Sequence, residues 1–218
     1  MHLRTLSTTL AFASALPMAT QAAEVFGSTT FTLLPGSIAG ADFPGSYGGD
    51  VAGAFPVALD DATARSYVLG GPDGKFLTLP GQTGTPSGAP FPGAYVEVGF
   101  GANFAASGLL NIYETGDNAE SAQIFLWSDN GGNVQFDVTR GASGRISVDL
   151  SSYASTLALI GGTAFTKVGI GGLDLNGASK GFDLDAVSIS AVPEPETYAL
   201  MLAGLGVVGW MARRRRST

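Results

Sequence analysis

The sequence contains no cysteine and one histidine, His2, in 218 residues. Without cysteine there is no disulfide to staple the fold, so stability must come from packing or from bound ions. With His2 lying in an N-terminal leader, the rest of the chain lacks both residue types that supply most zinc sites, Ser-His-Asp triads and Cys-His dyads. Positive charge is scarce as well. Of 18 acidic residues only Glu194 and Glu196 lie near the C-terminus, whereas of 11 basic residues Arg4 and four terminal arginines lie outside the central region. That region therefore carries 16 acidic against 6 basic side chains, a net charge near −10. Such a surface repels nucleic acid and anionic lipid, because both are bound by lysines and arginines that neutralise phosphates. A long apolar segment of 3.6-residue period is also missing between residues 25 and 190, which argues against a helical layer.

Both ends of the chain read as addresses. Met1-His2-Leu3-Arg4 is a short positive start, residues 6–16 form an apolar stretch broken at Pro17, and Thr20-Gln21-Ala22 places small residues before Ala23. This pattern predicts a signal peptide over residues 1–22. At the other end Val192-Pro193-Glu194-Pro195-Glu196 cannot continue a strand or enter a helix, since its prolines remove backbone donors and hold their predecessors extended. An apolar run follows, then Arg213, Arg214, Arg215 and Arg216. The run, residues 197–212, spans roughly 24 Å as a helix at ~1.5 Å per residue. That is short of a ~30 Å hydrocarbon core but is rescued by thinning and by snorkelling of the arginines, with Tyr198 and Trp210 at interfacial positions. A single C-terminal transmembrane helix with the arginines in the cytoplasm is the expectation.

This order of Pro193, Glu194 and Pro195, a short apolar helix and the cluster Arg213 to Arg216 resembles the PEP-CTERM sorting signal of Gram-negative bacteria. The resemblance covers residues 192–218. It implies an exported protein, held briefly at the inner membrane with its domain in the periplasm. An exosortase would then process it for the cell surface or an exopolysaccharide matrix.

Between these signals, residues 23–191 are expected to form one all-β domain, an antiparallel β-sandwich of jelly-roll-like type, since 32 glycines punctuate many short alternating runs. Residues 25–34 read as one strand. Residues 37–58 read as long loops with short paired pieces, and 65–69 with 75–79 as a hairpin across Gly70-Gly71-Pro72-Asp73-Gly74. Residues 82–93 read as a surface loop. Strands are expected at 95–100, 108–114, 121–127, 134–138, 145–150, 165–170 and 181–189, with the turn Ser128-Asp129-Asn130-Gly131-Gly132 joining a hairpin. Residues 151–159 are the one short stretch expected to be helical. The succession Asn111-Ile112-Tyr113-Glu114, a Ser-Asp-Asn-Gly turn, Val148-Asp149-Leu150 and Gly181-Phe182-Asp183-Leu184-Asp185-Ala186-Val187 resembles discoidin-like or carbohydrate-binding bacterial surface sandwiches. That resemblance implies a binding or structural domain without naming a ligand.

Carboxylates gather at Glu114, Asp117 and Glu120 and at Asp174, Asp183 and Asp185. Asp183 and Asp185 are two apart and so face one way on a regular strand. With the strand of Glu114 alongside, Glu114, Asp183 and Asp185 would make an oxygen-rich site for calcium, mainly structural. The alternative is that Asp117 and Asp174 cap turns, Glu120 is solvated and the Asp183/Asp185 pair accepts from loop amides. Tyr95, Tyr113 and Trp127 are either sheet packing or a platform for stacking sugars. The reading adopted is a non-enzymatic exported surface or matrix protein with no catalytic residues, its alternatives being a glycan-binding adhesin and a carboxylate-dependent polysaccharide-degrading enzyme.

Overall fold

The computed structural model describes residues 23–34, 47–51, 54–81, 93–116, 120–141, 143–175, 181–190, 202–206 and 208. Within them the strands, in chain order, are β1 (Glu24–Phe26), β2 (Thr29–Leu34), β3 (Tyr47–Val51), β4 (Ala54–Leu59), β5 (Leu77–Leu79) and β6 (Tyr95–Gly99). They continue with β7 (Leu109–Glu114), β8 (Ser121–Ser128), β9 (Asn133–Thr139), β10 (Arg145–Asp149), β11 (Phe165–Gly172) and β12 (Phe182–Ser190). One sheet runs β10-β7-β12-β5-β3-β4 with β1 also on β12, and the other runs β2-β6-β11-β8-β9. Pairing is antiparallel throughout these ladders, so the all-β expectation is met.

Alternation decides which side chains meet between the sheets. From the first sheet Leu77, Leu79, Leu110, Ile112, Leu184 and Val187 enter a buried cluster that also takes Val96, Val98, Ile124, Leu126, Val168 and Ile170 from the second. The shared core makes the two sheets one unit, and Phe100, Phe104 and Phe165 extend it in ring contacts of 5.4 and 5.7 Å. Residues of opposite parity on the second sheet, Tyr95, Phe125 and Trp127, form a separate small apolar group on its other face.

The expected strands from residue 95 onward are all present, and β8 and β9 form the expected hairpin with Trp127 opposite Asn133 and Ser121 opposite Thr139. The pieces expected in 37–58 are represented by β3 and β4, which pair with each other. The helical stretch is a 3-10 turn (Leu150–Tyr153) running into α2 (Ala154–Leu159).

Two expectations are corrected. Residues 25–34 are not one strand, because the chain leaves the first sheet after β1 and joins the second as β2. The crossing passes Gly27, where an added Cβ would lie 2.4 Å from Val98 Cγ1. Nor do residues 65–69 form a hairpin with 75–79. Residues 61–67 are helix α1 (Asp61–Tyr67), started by Asp60, whose Oδ1 accepts from Thr63 N at 2.7 Å, while β5 pairs with β12 and β3 instead. A capped first turn with Asp61 at the positive helix end outweighs the weak β preference of a five-residue run.

The signal-peptide reading of 1–22, the loop at 82–92 and most of the tail lie outside the described residues. Residues 202–206 and 208 are helical and exposed, and among the described residues no helix is long and apolar enough to cross a membrane.

Where β5 ends, backbones of the two sheets meet without intervening side chains. A Cβ on Gly172 would lie 1.7 Å from Leu79 O, one on Gly181 2.5 Å from the same oxygen, and one on Gly81 2.3 Å from Asp174 N. Gly181 also has φ +145, a conformation that a side chain rarely tolerates. This junction anchors the start of β12, the strand that carries the candidate site.

Candidate functional site: a buried carboxylate cluster

β7 and β12 are neighbours, with Glu114 opposite Leu184, so the last residue of one strand meets the first residues of the other. Glu114 and Asp183 are thereby brought together, as expected from the sequence. The third member is Glu120 rather than Asp185: one oxygen from each of Glu114, Glu120 and Asp183 lies within 4.8 Å of the others. All three are buried, at 2%, 0% and 3% exposure.

Each carboxylate is fixed from a different direction. Glu114 Oε1 accepts from Gly116 N and its Oε2 faces Arg140 Nε in an ion pair. Asp183 Oδ1 accepts from Thr78 Oγ1 at 2.8 Å, and Thr115 N donates to the Asp183 carbonyl at 3.1 Å. Glu120 Oε2 accepts from Asp183 N at 3.3 Å, while Oε1 is buried without a hydrogen-bond partner, as is Thr115 Oγ1. Arg140 arrives by hairpin register: its N–H donates to the Glu120 carbonyl at 2.9 Å, continuing the β8–β9 ladder past Ser121 and Thr139.

The electrostatics follow from burial. Two full charges ~4 Å apart interact by about 4 kcal/mol at an effective dielectric near 20, so three anions against one guanidinium are strained. Burial drives the Glu120 carboxyl well above its ordinary range, with Asp183 and Glu114 repelling its charge further. Burial raises Glu114 less, because the Gly116 N–H and Arg140 pull it back. Chemically, the cluster can hold protons or a hard cation, and only oxygen atoms are offered to either.

Asp185 is corrected out of the site. The register between β12 and β7 shifts between Leu184 and Ala186, and the bulge breaks the alternation that would have aligned it with Asp183. It accepts from Asp73 N at 3.1 Å and Gly74 N at 3.0 Å, closing the loop before β5. Asp174 Oδ2 accepts from Ser121 N at 2.7 Å, and Asp117 lies outside the described residues. Glu120, grouped with Glu114 in the sequence but left out of the expected calcium set, is fully buried, which overturns the alternative that it is solvated, and Arg140 joins the site without a sequence expectation behind it.

The three aromatics considered for sugar stacking are engaged in the sheets. Tyr95 is buried, edge-on to Phe125 at 5.4 Å, and accepts from Trp127 Nε1 at 2.9 Å. Lys167 Nζ covers the Trp127 ring at 5.1 Å, and Tyr113 Oη donates to Glu24 Oε2 at 2.6 Å beneath Arg145.

On the same outer face, Glu97 accepts from Lys167 Nζ at 2.6 Å, Thr32 Oγ1 at 2.7 Å and Tyr95 Oη at 3.1 Å. Burial alone would raise its pKa, but these donors outweigh burial and hold it below the ordinary value. A carboxylate depressed on folding stabilises fully above its unfolded pKa, ~4.3, and the stabilisation disappears as pH falls through the lower folded value. Urea midpoints measured from pH 7 to pH 3 should therefore fall less steeply in acid for Glu97→Gln than for the parent. Parallel profiles would show that these contacts do not favour the ionised form.

The architecture defines a two-sheet β domain with an acidic centre at the junction of its last strand. Beyond that strand the PEP-CTERM protein-sorting motif matches residues 191–216, so the chain carries this sorting signal directly after β12. The motif implies an exported protein that an exosortase processes. No curated protein matches the chain.

Proposed function

We propose that the chain is a non-enzymatic structural or binding protein of the cell surface or exopolysaccharide matrix. Its jelly-roll-like sandwich is held at the inner membrane by the tail until an exosortase removes it. The observation that carries this reading is the sorting motif at 191–216, placed immediately after the closing strand. The site chemistry supports a binding or structural role over glycosidic cleavage, which uses two carboxyls flanking a sugar ~5 to 9.5 Å apart. Here the clustered oxygens lie within 4.8 Å of one another, enclosed by the fold and partly neutralised by Arg140.

Replacing Pro193, Glu194 and Pro195 with alanine should leave export intact and block loss of the tail, since export depends on the other end of the chain. In a host with an exosortase the variant should accumulate at unprocessed mass in the membrane fraction while the parent is shortened. Identical mass and distribution for the two proteins would overturn the sorting role. A glycan array and a reducing-sugar assay on the processed protein separate the classes: this reading expects no sugar release, and steady release would establish an enzyme.

A further inference from the structure

We infer that Glu114, Glu120 and Asp183 form a binding site for one hard divalent cation, calcium, at the core end of β7 and β12. Glu120 Oε1 carries much of the argument. It is enclosed in protein and meets no donor, although a buried carboxylate oxygen ordinarily finds one. Thr115 Oγ1, next in sequence to Glu114, is a second buried oxygen without a partner. An ion held among the three carboxylates would satisfy Glu120 Oε1.

Charge and size agree. An ion that displaces the protons favoured by burial would leave three carboxylates and the Arg140 guanidinium, a surplus of two negative charges that one divalent cation cancels. The donor atoms are all oxygens, so the site suits a hard ion rather than zinc or copper. Calcium–oxygen bonds of ~2.3 to 2.6 Å put ligands on opposite sides of the ion about 4.6 to 5.2 Å apart, compatible with a set of oxygens within 4.8 Å of one another. Octahedral magnesium needs a tighter arrangement and retains waters.

The backbone keeps the site open. A Cβ on Gly116 would lie 2.4 Å from Glu114 Oε1 and 2.9 and 3.1 Å from the two Glu120 oxygens, so only glycine leaves the carboxylates their position. The ion would join β7, the start of β8 and β12, and so tie the two sheets at a point where the chain has no disulfide.

The test uses the full chain in detergent micelles, stripped with EDTA and then given calcium or magnesium chloride. A cation that binds only the folded state raises the unfolding midpoint as its concentration exceeds Kd. Millimolar calcium should raise the midpoint by several degrees, magnesium by much less, and native mass spectrometry should show one retained calcium. Glu120→Gln and Asp183→Asn should each lose the shift, while Asp185→Asn, altered outside the cluster, should keep it. A parent with neither a calcium-dependent shift nor a retained ion overturns the site whatever the variants do. So does a shift that survives in Glu120→Gln or Asp183→Asn.

Discussion

Gly172→Ala should yield a protein with no cooperative unfolding transition at 25 °C, or one weakened by on the order of 4 kcal/mol or more, the range reached by severe core disruption. The cause is geometric. The new Cβ would stand 1.7 Å from Leu79 O, and both atoms belong to strand backbone that cannot rotate away. Relief requires β11 and the end of β5 to separate, which would also disturb Gly81 and Gly181 at the same junction. With a domain stability typically ~5 to 15 kcal/mol, that loss is decisive. Gly141→Ala is the matched control, since nothing lies within 4 Å of the added atom and no left-handed backbone is involved. It should fall within about 0.5 kcal/mol of the parent. Circular dichroism in urea reads both, and a Gly172→Ala curve that overlays the control would show that the sheets do not approach so closely.

The second large effect is expected at Arg140. Arg140→Met keeps the aliphatic stem and removes the guanidinium that faces Glu114, leaving the buried anions without their cation. Breaking a buried pair from one side costs ~3 to 5 kcal/mol while the abandoned carboxylate stays charged, so the loss is largest in alkaline buffer, where the raised Glu114 carboxyl is ionised. In calcium-free buffer the urea midpoint should fall accordingly. The cost should shrink to about 1 kcal/mol when Glu114→Gln is already present, since the charge that Arg140 serves is then gone. Equal costs in both backgrounds would mean that Arg140 acts by packing alone.

Legibility in the sequence followed the physics of each element. β8 and β9 were readable because partly exposed strands keep a two-residue alternation, β7 and β12 because they are short apolar runs buried on both faces, and the turn at Asp129 to Gly132 announces the β8–β9 hairpin. The split of residues 25–34 was hidden, since a strand that changes sheets keeps its composition and betrays itself only at Gly27. Helix α1 was legible in principle from Asp60 and Asp61 ahead of Ala62, a cap followed by an acidic first turn. At the site, Glu114 and Asp183 followed from strand adjacency. Asp185 failed because a bulge cannot be read from alternation. The pairing of Glu120 with Arg140 is written in the hairpin register, since one step beyond Ser121 and Thr139 sets them opposite each other.

The position of β12 has a consequence for the order of assembly. It is the last strand of the described chain, yet it lies inside its sheet, with β7 on one side and β5 and β1 on the other. For a chain emerging N-terminus first, β10 and β7 form one fragment of this sheet and β3, β4 and β5 another, and among the described residues no ladder pairs the two fragments until residues 182–190 arrive. β1 must wait as well, since Glu24 finds Ser190 only across nearly the whole domain. Closure of the sheet is thus a single late event of high sequence separation, slow by its loop entropy. The sorting motif at 191–216 follows directly, so the strand that closes the sheet and the sorting signal are neighbours at the end of the order in which the chain is made.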